Sequence, residues 1–141
     1  MTRKLLIATH STLADGIRGA LALLAGEQDR ISTLCAYVEQ ITEVETPIRE
    51  IISVLRPDEE LVVLTDVFGG SVNNEFMKYL QTGKLHLISG VNLSLAVEIA
   101  MALSLPEEEF VKAVKAAIEI AKEQIQYCNE LIGCRPEEDN F

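Results

Sequence analysis

Residues Leu61–Asn74 read LVVLTDVFGGSVNN, and their order decides how the chain folds. Leu61-Val62-Val63-Leu64 is an apolar, β-branched run. Such a run suits a strand buried on both faces, as in a parallel sheet. A lone carboxylate follows, Asp66, then the pair Gly69-Gly70, then Ser71 and a helical pattern of Val72, Phe76, Met77 and Leu80. Open α/β sheets bind ligands at strand-to-helix turns of this kind, beyond the carboxyl ends of the strands. Glycine lets the backbone come close to a ligand. The free N–H groups and positive dipole end of the following helix favour an anion. A second strand ends in a similar way, Leu5-Leu6-Ile7-Ala8-Thr9 followed by His10.

Outward from this stretch, strands and helices alternate. Lys4–Thr9 reads as the first strand. Thr12 with Asp15 three residues later has the form of a capping box. Leu13, Ile17, Leu21 and Leu24 form the stripe of the helix it opens, and Gly26 stops it. Ile31–Tyr37 is the second strand, and Thr46-Pro47 starts a helix with Ile48, Ile51, Ile52 and Leu55 facing the core. After the third strand, Leu61–Thr65, a helix is predicted from Ser71 to about Leu80. Leu85–Ser89 is the fourth strand, and Gly90-Val91-Asn92 turns into a helix over Leu93–Leu103. Pro106-Glu107-Glu108-Glu109 is an acidic helix start, and apolar residues recur at helical spacing from Phe110 through Ala117 and Ile125 to Cys128.

The pattern predicts an α/β doubly wound fold, its sheet mainly parallel with strand order 2-1-3-4 and helices on both faces. The domain spans 1–130, and 131–141 is a C-terminal tail whose last residues, Arg135–Phe141, are polar and frayed. In that order the first and third strands are neighbours, about 5 Å apart, so His10 and Asp66 come within reach of each other at one sheet edge.

Composition excludes several function classes. The 141 residues carry a net charge of −10, which disfavours nucleic acid and anionic membranes and permits a partner with a basic face. No apolar run is long enough to span a membrane, and the N-terminus lacks the features of a signal peptide. Cys35, Cys128 and Cys134 show no CxxC pairing and no metal-like spacing with histidine, so free thiols in the cytoplasm are expected and no metal site is. There is no GxxxxGK[ST], GxGxxG or GxSxG, so neither a nucleotide nor another cofactor is implied.

A histidine beside a carboxylate has a defined chemistry. The acid takes a hydrogen bond from one ring nitrogen and leaves the other as nucleophile or base. Ser11, Thr12, Gly69, Gly70 and Ser71 surround the expected pair and suit a phosphate or similar oxyanion. The plainer alternative makes His10 a satisfied loop residue and Asp66 a turn former. His86, in mid-strand, reads as structural, and Phe68 as either a rim contact or a turn-packing aromatic.

Three motifs at matching spacings resemble one family: Ile7-Ala8-Thr9-His10 with Leu13, Ala14 and Gly16; Asp66-Val67-Phe68-Gly69-Gly70-Ser71 with Asn73; and Ser89-Gly90-Val91-Asn92 before a helix. Over nearly its whole length the chain resembles the IIA domain of the mannose/fructose/sorbose family of the bacterial phosphoenolpyruvate-dependent sugar phosphotransferase system. The resemblance implies that His10 carries a phosphoryl group, that Asp66 orients its imidazole, and that Ser71 lies near the phosphoryl group. It implies HPr as donor, the IIB component as acceptor, and the IIC/IID permease as an indirect partner. It also implies a homodimer that exchanges an antiparallel edge strand. Ser11 and Val72 depart from the family's usual glycine and proline. Two other readings remain: the phosphotransferase subunit of a dihydroxyacetone kinase, and a non-catalytic anion-binding or regulatory module.

Overall fold

The structure is a computed structural model, and it describes residues 1–133. Strands β1 (Thr2–His10), β2 (Ile31–Ala36), β3 (Glu59–Thr65) and β4 (Leu85–Ser89) alternate with helices α1 (Leu13–Ala25), α2 (Glu45–Ser53), α3 (Ser71–Met77), α4 (Leu93–Ala102) and α5 (Glu107–Glu123). All strand pairs are parallel, in the order β2-β1-β3-β4. The order follows the sequence reading, and so does the central place of β3, all seven of whose residues are buried.

Period-two alternation distributes the central strands between two cores. Leu5, Ile7, Val62 and Leu64 face α1, α4 and α5. Leu6, Ala8, Leu61 and Val63 face α2 and α3, meeting Ile48, Val72 and Phe76. A strand buried on both faces has no polar positions to spare, hence the unbroken apolar runs that marked β1 and β3 in the sequence.

At the amino edge of the sheet the fold buries charge. Arg3 donates to Glu107 at 2.6 Å, to the carbonyl of Leu103 at 3.2 Å and to that of Leu105. Its guanidinium lies 4.1 Å over the ring of Phe110. Glu60 faces both Arg3 and His86, and His86 meets Phe110 edge-on with ring centroids 5.0 Å apart. His86 thus has the strand-face role expected of it, locked by Glu60. The Arg3 guanidinium also holds the Glu107 carboxyl below its ordinary range, chiefly by hydrogen bonding.

Several boundaries differ from the sequence reading, each for a local reason. The capping box at Thr12 does not form. Thr12 makes no side-chain cap, and Thr9 Oγ1 accepts from the N–H of Ala14 at 2.8 Å instead. Asp15, freed from that duty, accepts from Thr33 Oγ1 at 2.6 Å. Helix α3 ends at Met77, short of Leu80, because the chain tightens into a 3-10 turn over Leu80–Thr82 closed by Gly83 at φ 73°. Helix α5 stops at Glu123, so its apolar stripe is shorter than expected: Ile125 is 83% exposed and Cys128 opens a 3-10 turn. Leu13 and Leu24 of the α1 stripe are also largely exposed, and the buried face is Ala14, Ile17 and Leu21. Strand β2 ends at Ala36, one residue early, because Tyr37 turns to φ 65°. Of the expected tail at 131–141, residues 134–141 lie outside the described residues, Cys134 among them.

Ser11 also has a left-handed backbone, φ 55°, held by its N–H donating to Ala36 O at 2.8 Å. An L-residue there costs about 1–2 kcal/mol, and glycine removes that cost while giving back about 0.4–1 kcal/mol of unfolded-state entropy. Ser11→Gly is therefore expected to raise the unfolding free energy by roughly 0.5–1 kcal/mol. Urea denaturation checks this, and an unchanged midpoint would show that the turn is unstrained.

Candidate active site at the carboxyl edge of the sheet

His10 ends β1 and Asp66 follows β3, and the parallel register Ala8↔Thr65 brings them to the same edge. Asp66 Oδ2 accepts from the main-chain N–H of His10 at 2.9 Å and faces its ring Nδ1 at 3.0 Å; Oδ1 stands 3.3 Å from the same nitrogen. A carboxylate only accepts, so Nδ1 carries the proton and Nε2 keeps its lone pair. The side chain of His10 is 42% exposed whereas that of Asp66 is 11% exposed, so the acid is sheltered and the base is presented.

Two buried threonines set this edge. Thr9, just before His10, fastens the start of α1 through Ala14. Thr65, just before Asp66, donates to Asn73 Oδ1 in α3 at 2.7 Å. Each strand end is thus tied to the helix that follows it. Between Asp66 and α3 the chain makes a tight turn, with Gly70 N–H donating to Val67 O at 3.1 Å and Gly69 at φ 81°. That sign of φ at the third residue of a turn calls for glycine. Asn74 Nδ2 closes the loop on Gly69 O at 3.0 Å.

Gly70 is constrained for a different reason. A Cβ there would stand 3.3 Å from His10 Cε1 and 3.2 Å from Val67 O, so the glycine forms the floor under the imidazole. Ser71 opens α3 and is exposed. Ser11 and Thr12 lie exposed between β1 and α1. The turn carries exposed apolar side chains at the rim, Val67 at 51% and Phe68 at 81%.

The sequence reading missed Tyr37. It follows β2, the neighbour of β1 on the side away from Asp66. Its ring lies 5.8 Å from that of His10, tilted by 33°, and its hydroxyl is 2.8 Å from Ser71 Oγ. An aromatic directly after a predicted strand, level with His10 in a 2-1-3-4 sheet, was the available signal. Two surface clefts, of about 400 Å³ beside Asp15 and Arg18 and about 540 Å³ beside Arg3 and Glu107, do not reach His10. For a metal, Glu60, His86 and Glu107 offer ligand atoms within 4.8 Å of one another at the opposite edge. Arg3 already engages both carboxylates there, so a cation would compete with a buried guanidinium.

The fold and this edge define a class, the α/β domains with a histidine–carboxylate pair at the ends of adjacent parallel strands. The family model described as the PTS system fructose IIA component matches residues 4–126. The chain belongs to this family, the mannose/fructose-type IIA components of the sugar phosphotransferase system, whose general business is phosphoryl transfer. It is similar to a Klebsiella pneumoniae protein assigned to a phosphoenolpyruvate-dependent sugar phosphotransferase system permease, with 38% identity, coverage of 94% of this chain and 95% of that one, and a TM-score of 0.85. It is also similar to the PTS IIA protein associated with the fucose utilization operon of Streptococcus pneumoniae, with 27% identity over 94% of this chain and 97% of that one, and a TM-score of 0.72. The mannose/sorbose-specific IIA subunit of Enterococcus faecalis shares the fold, with a TM-score of 0.73 at 20% identity, covering 99% of this chain and all of that one (100%). No curated protein matches the chain.

Gly70→Ala is expected to leave the fold intact and to push the imidazole from its place against Asp66. Nitrogen-15 NMR of the ring reads this directly: the wild-type Nδ1–H, Nε2 pattern should give way to a mixture of tautomers. An unchanged pattern would mean that the floor yields.

Proposed function

We propose that this chain is a phosphoryl carrier that accepts a phosphoryl group from phospho-HPr on His10 and passes it to the IIB component. The observation that carries the reading is the double acceptance by Asp66, which leaves Nε2 of an exposed imidazole as the free nucleophile. A non-catalytic module has no use for a histidine held in one tautomer with its reactive nitrogen outward.

His10 Nε2 attacks the phosphorus in line with the bond to the donor histidine. The new N–P bond forms as the old one breaks, and the electron pair of the old bond stays on the donor nitrogen. The Nδ1 proton remains on His10, so the ring becomes cationic as it gains the group, and Asp66 stabilises that charge. Phosphoryl transfer rests mainly on positioning and electrostatics. Ser71, with Ser11, Thr12, Gly69 and Gly70 around it, supplies the polar surface for the phosphoryl oxygens. The reverse geometry delivers the group to IIB. Both partners use the same open edge in turn, and the apolar rim at Val67 and Phe68 suits such docking. No helix among the described residues is long and apolar enough to cross a membrane. As a carrier between HPr and IIB, the domain works from the cytoplasm and reaches the IIC/IID permease through IIB.

The same reading includes a homodimer. Among the described residues β4 pairs with β3 alone, and the segment after α5 exposes Ile125, Tyr127 and Ile132 at 83%, 67% and 89%. Unpaired edges and exposed apolar segments favour association, and strand exchange between copies covers both. Sedimentation at micromolar concentration should give twice the 15.5 kDa chain mass; a single monomeric species would count against it.

Incubation with phosphoenolpyruvate, enzyme I and HPr should add one phosphoryl group, seen by intact mass. His10→Ala should abolish the gain and His86→Ala should not. Asp66→Asn keeps the shape but loses the charge; by analogy with the orienting acid of a hydrolytic triad it should slow transfer by up to ~10⁴. The product should be acid-labile and base-stable, as a phosphoramidate is. Uptake by His10→Ala would move the site elsewhere.

A further inference from the structure

Tyr37 is unexplained by the histidine–aspartate pair, yet three features converge on it. Its backbone is left-handed at φ 65°, which is uncommon for a bulky residue. Strain of that kind persists only where its surroundings hold it, and it clusters at functional positions. The strain places the phenol across the mouth of the site, its ring 5.8 Å from that of His10. Its hydroxyl ends 2.8 Å from Ser71 Oγ.

We infer that Tyr37 is a positioning residue for phosphoryl transfer and acts through Ser71. The inference rests on the carrier reading above. A phenol is more acidic than an aliphatic alcohol, so Tyr37 is the better donor of the two. When Tyr37 donates to Ser71 Oγ, the serine proton is left to point elsewhere. Ser71 stands at the head of α3, one residue after the glycine beneath the imidazole. Its O–H is therefore set as a donor toward a group arriving at Nε2. A hydroxyl that is itself accepting a hydrogen bond is also a stronger donor, because linked hydrogen bonds polarise one another. Without the phenol, Ser71 is an exposed serine with a freely rotating proton.

The device matters because a phosphoryl group brings its negative charge to a site whose nearest side chain to the nucleophile is an acid. Asp66 favours the imidazolium but repels the incoming oxygens. A donor held at Ser71 offsets that repulsion where the charge arrives. Tyr37 follows β2 and Ser71 opens α3, so their contact also joins the segment after β2 to the helix after β3.

Tyr37 is 48% exposed, so it could instead serve only to dock the protein donor. A small donor separates the two roles. Phosphoramidate transfers its phosphoryl group to histidine directly: the His10 Nε2–P bond forms, the P–N bond of the reagent breaks, and ammonia leaves. Rates of His10 phosphorylation are measured by intact mass for wild type, Tyr37→Phe, Ser71→Ala and the double variant, with phosphoramidate and with phospho-HPr. Thermal unfolding serves as the control for the fold. Tyr37→Phe keeps the ring and removes only the hydroxyl. It should slow phosphorylation roughly tenfold with both donors, the size expected for one hydrogen bond to a charged group. Adding Tyr37→Phe to Ser71→Ala should cost nothing further, since the phenol acts only through the serine.

A wild-type rate for Tyr37→Phe with phosphoramidate overturns the inference, and slowing confined to phospho-HPr replaces it with a docking role. Slowing of the Ser71→Ala background by Tyr37→Phe shows that the phenol acts directly and also overturns it. If wild type takes up nothing from either donor, the carrier reading fails and this one falls with it. Uptake by wild type with an insensitive Tyr37→Phe removes this inference alone.

Discussion

Oδ2 of Asp66 accepts from both the main-chain N–H and the ring Nδ1 of His10, at 2.9 and 3.0 Å. One oxygen thus fixes where β1 ends and which way its last side chain faces. The bond can form only because β1 and β3 are neighbours, in parallel, with Ala8 level with Thr65. Parallel neighbours need a crossover between them, and the crossover helices need apolar strand faces to cover. The doubly wound architecture is in this sense the condition for a two-point contact between residues 56 positions apart in the chain.

The same economy is visible one residue earlier on each strand. Thr9 and Thr65 are fully buried at the last full positions of their strands, and each uses its hydroxyl to hold the helix that follows. A buried hydroxyl must be hydrogen-bonded, and here that need sets the first turns of α1 and α3. The loops between, which carry Ser11, Thr12, Gly69 and Gly70, are therefore short spans between fixed points. Gly70 can then lie so near the imidazole that a Cβ there would stand 3.3 Å from His10 Cε1.

Much of this was legible in the sequence because it depends on period and on backbone chemistry. Apolar runs over 61–64 and 5–8 marked the central strands, and alternation with helices gave the parallel order. The Gly-Gly turn announced a close approach. What stayed hidden depends on competition between equivalent groups. Thr9 and Thr12 are both threonines near the start of α1, and only the packed structure reveals that the buried one wins the cap. The ends of α3 and α5 were overrun because apolar spacing continues past the point where the helices give way to 3-10 turns. Tyr37 was hidden because its role needs a left-handed backbone, which a tyrosine does not advertise as a glycine does.

The two histidines of the chain show how little separates a structural pair from the one proposed to carry the phosphoryl group. Each meets a carboxylate within 3.0 Å, His10 through Nδ1 and His86 through Nε2. The difference is which nitrogen the acid takes and what closes over the ring. His86 lies mid-edge on β4 with its Nε2 bound to Glu60, its ring against Phe110, and Arg3 neutralising the acids around it. Its Nε2 is consumed within the fold by Glu60. His10 gives its inner nitrogen to Asp66, and its ring is 42% exposed against 22% for His86. Among the described residues no guanidinium contacts Asp66, and the contacts it makes are with the ring Nδ1 and the main-chain N–H of His10. A presented imidazole at one edge and a locked one at the other therefore come from the same residue types, sorted by position on the strand.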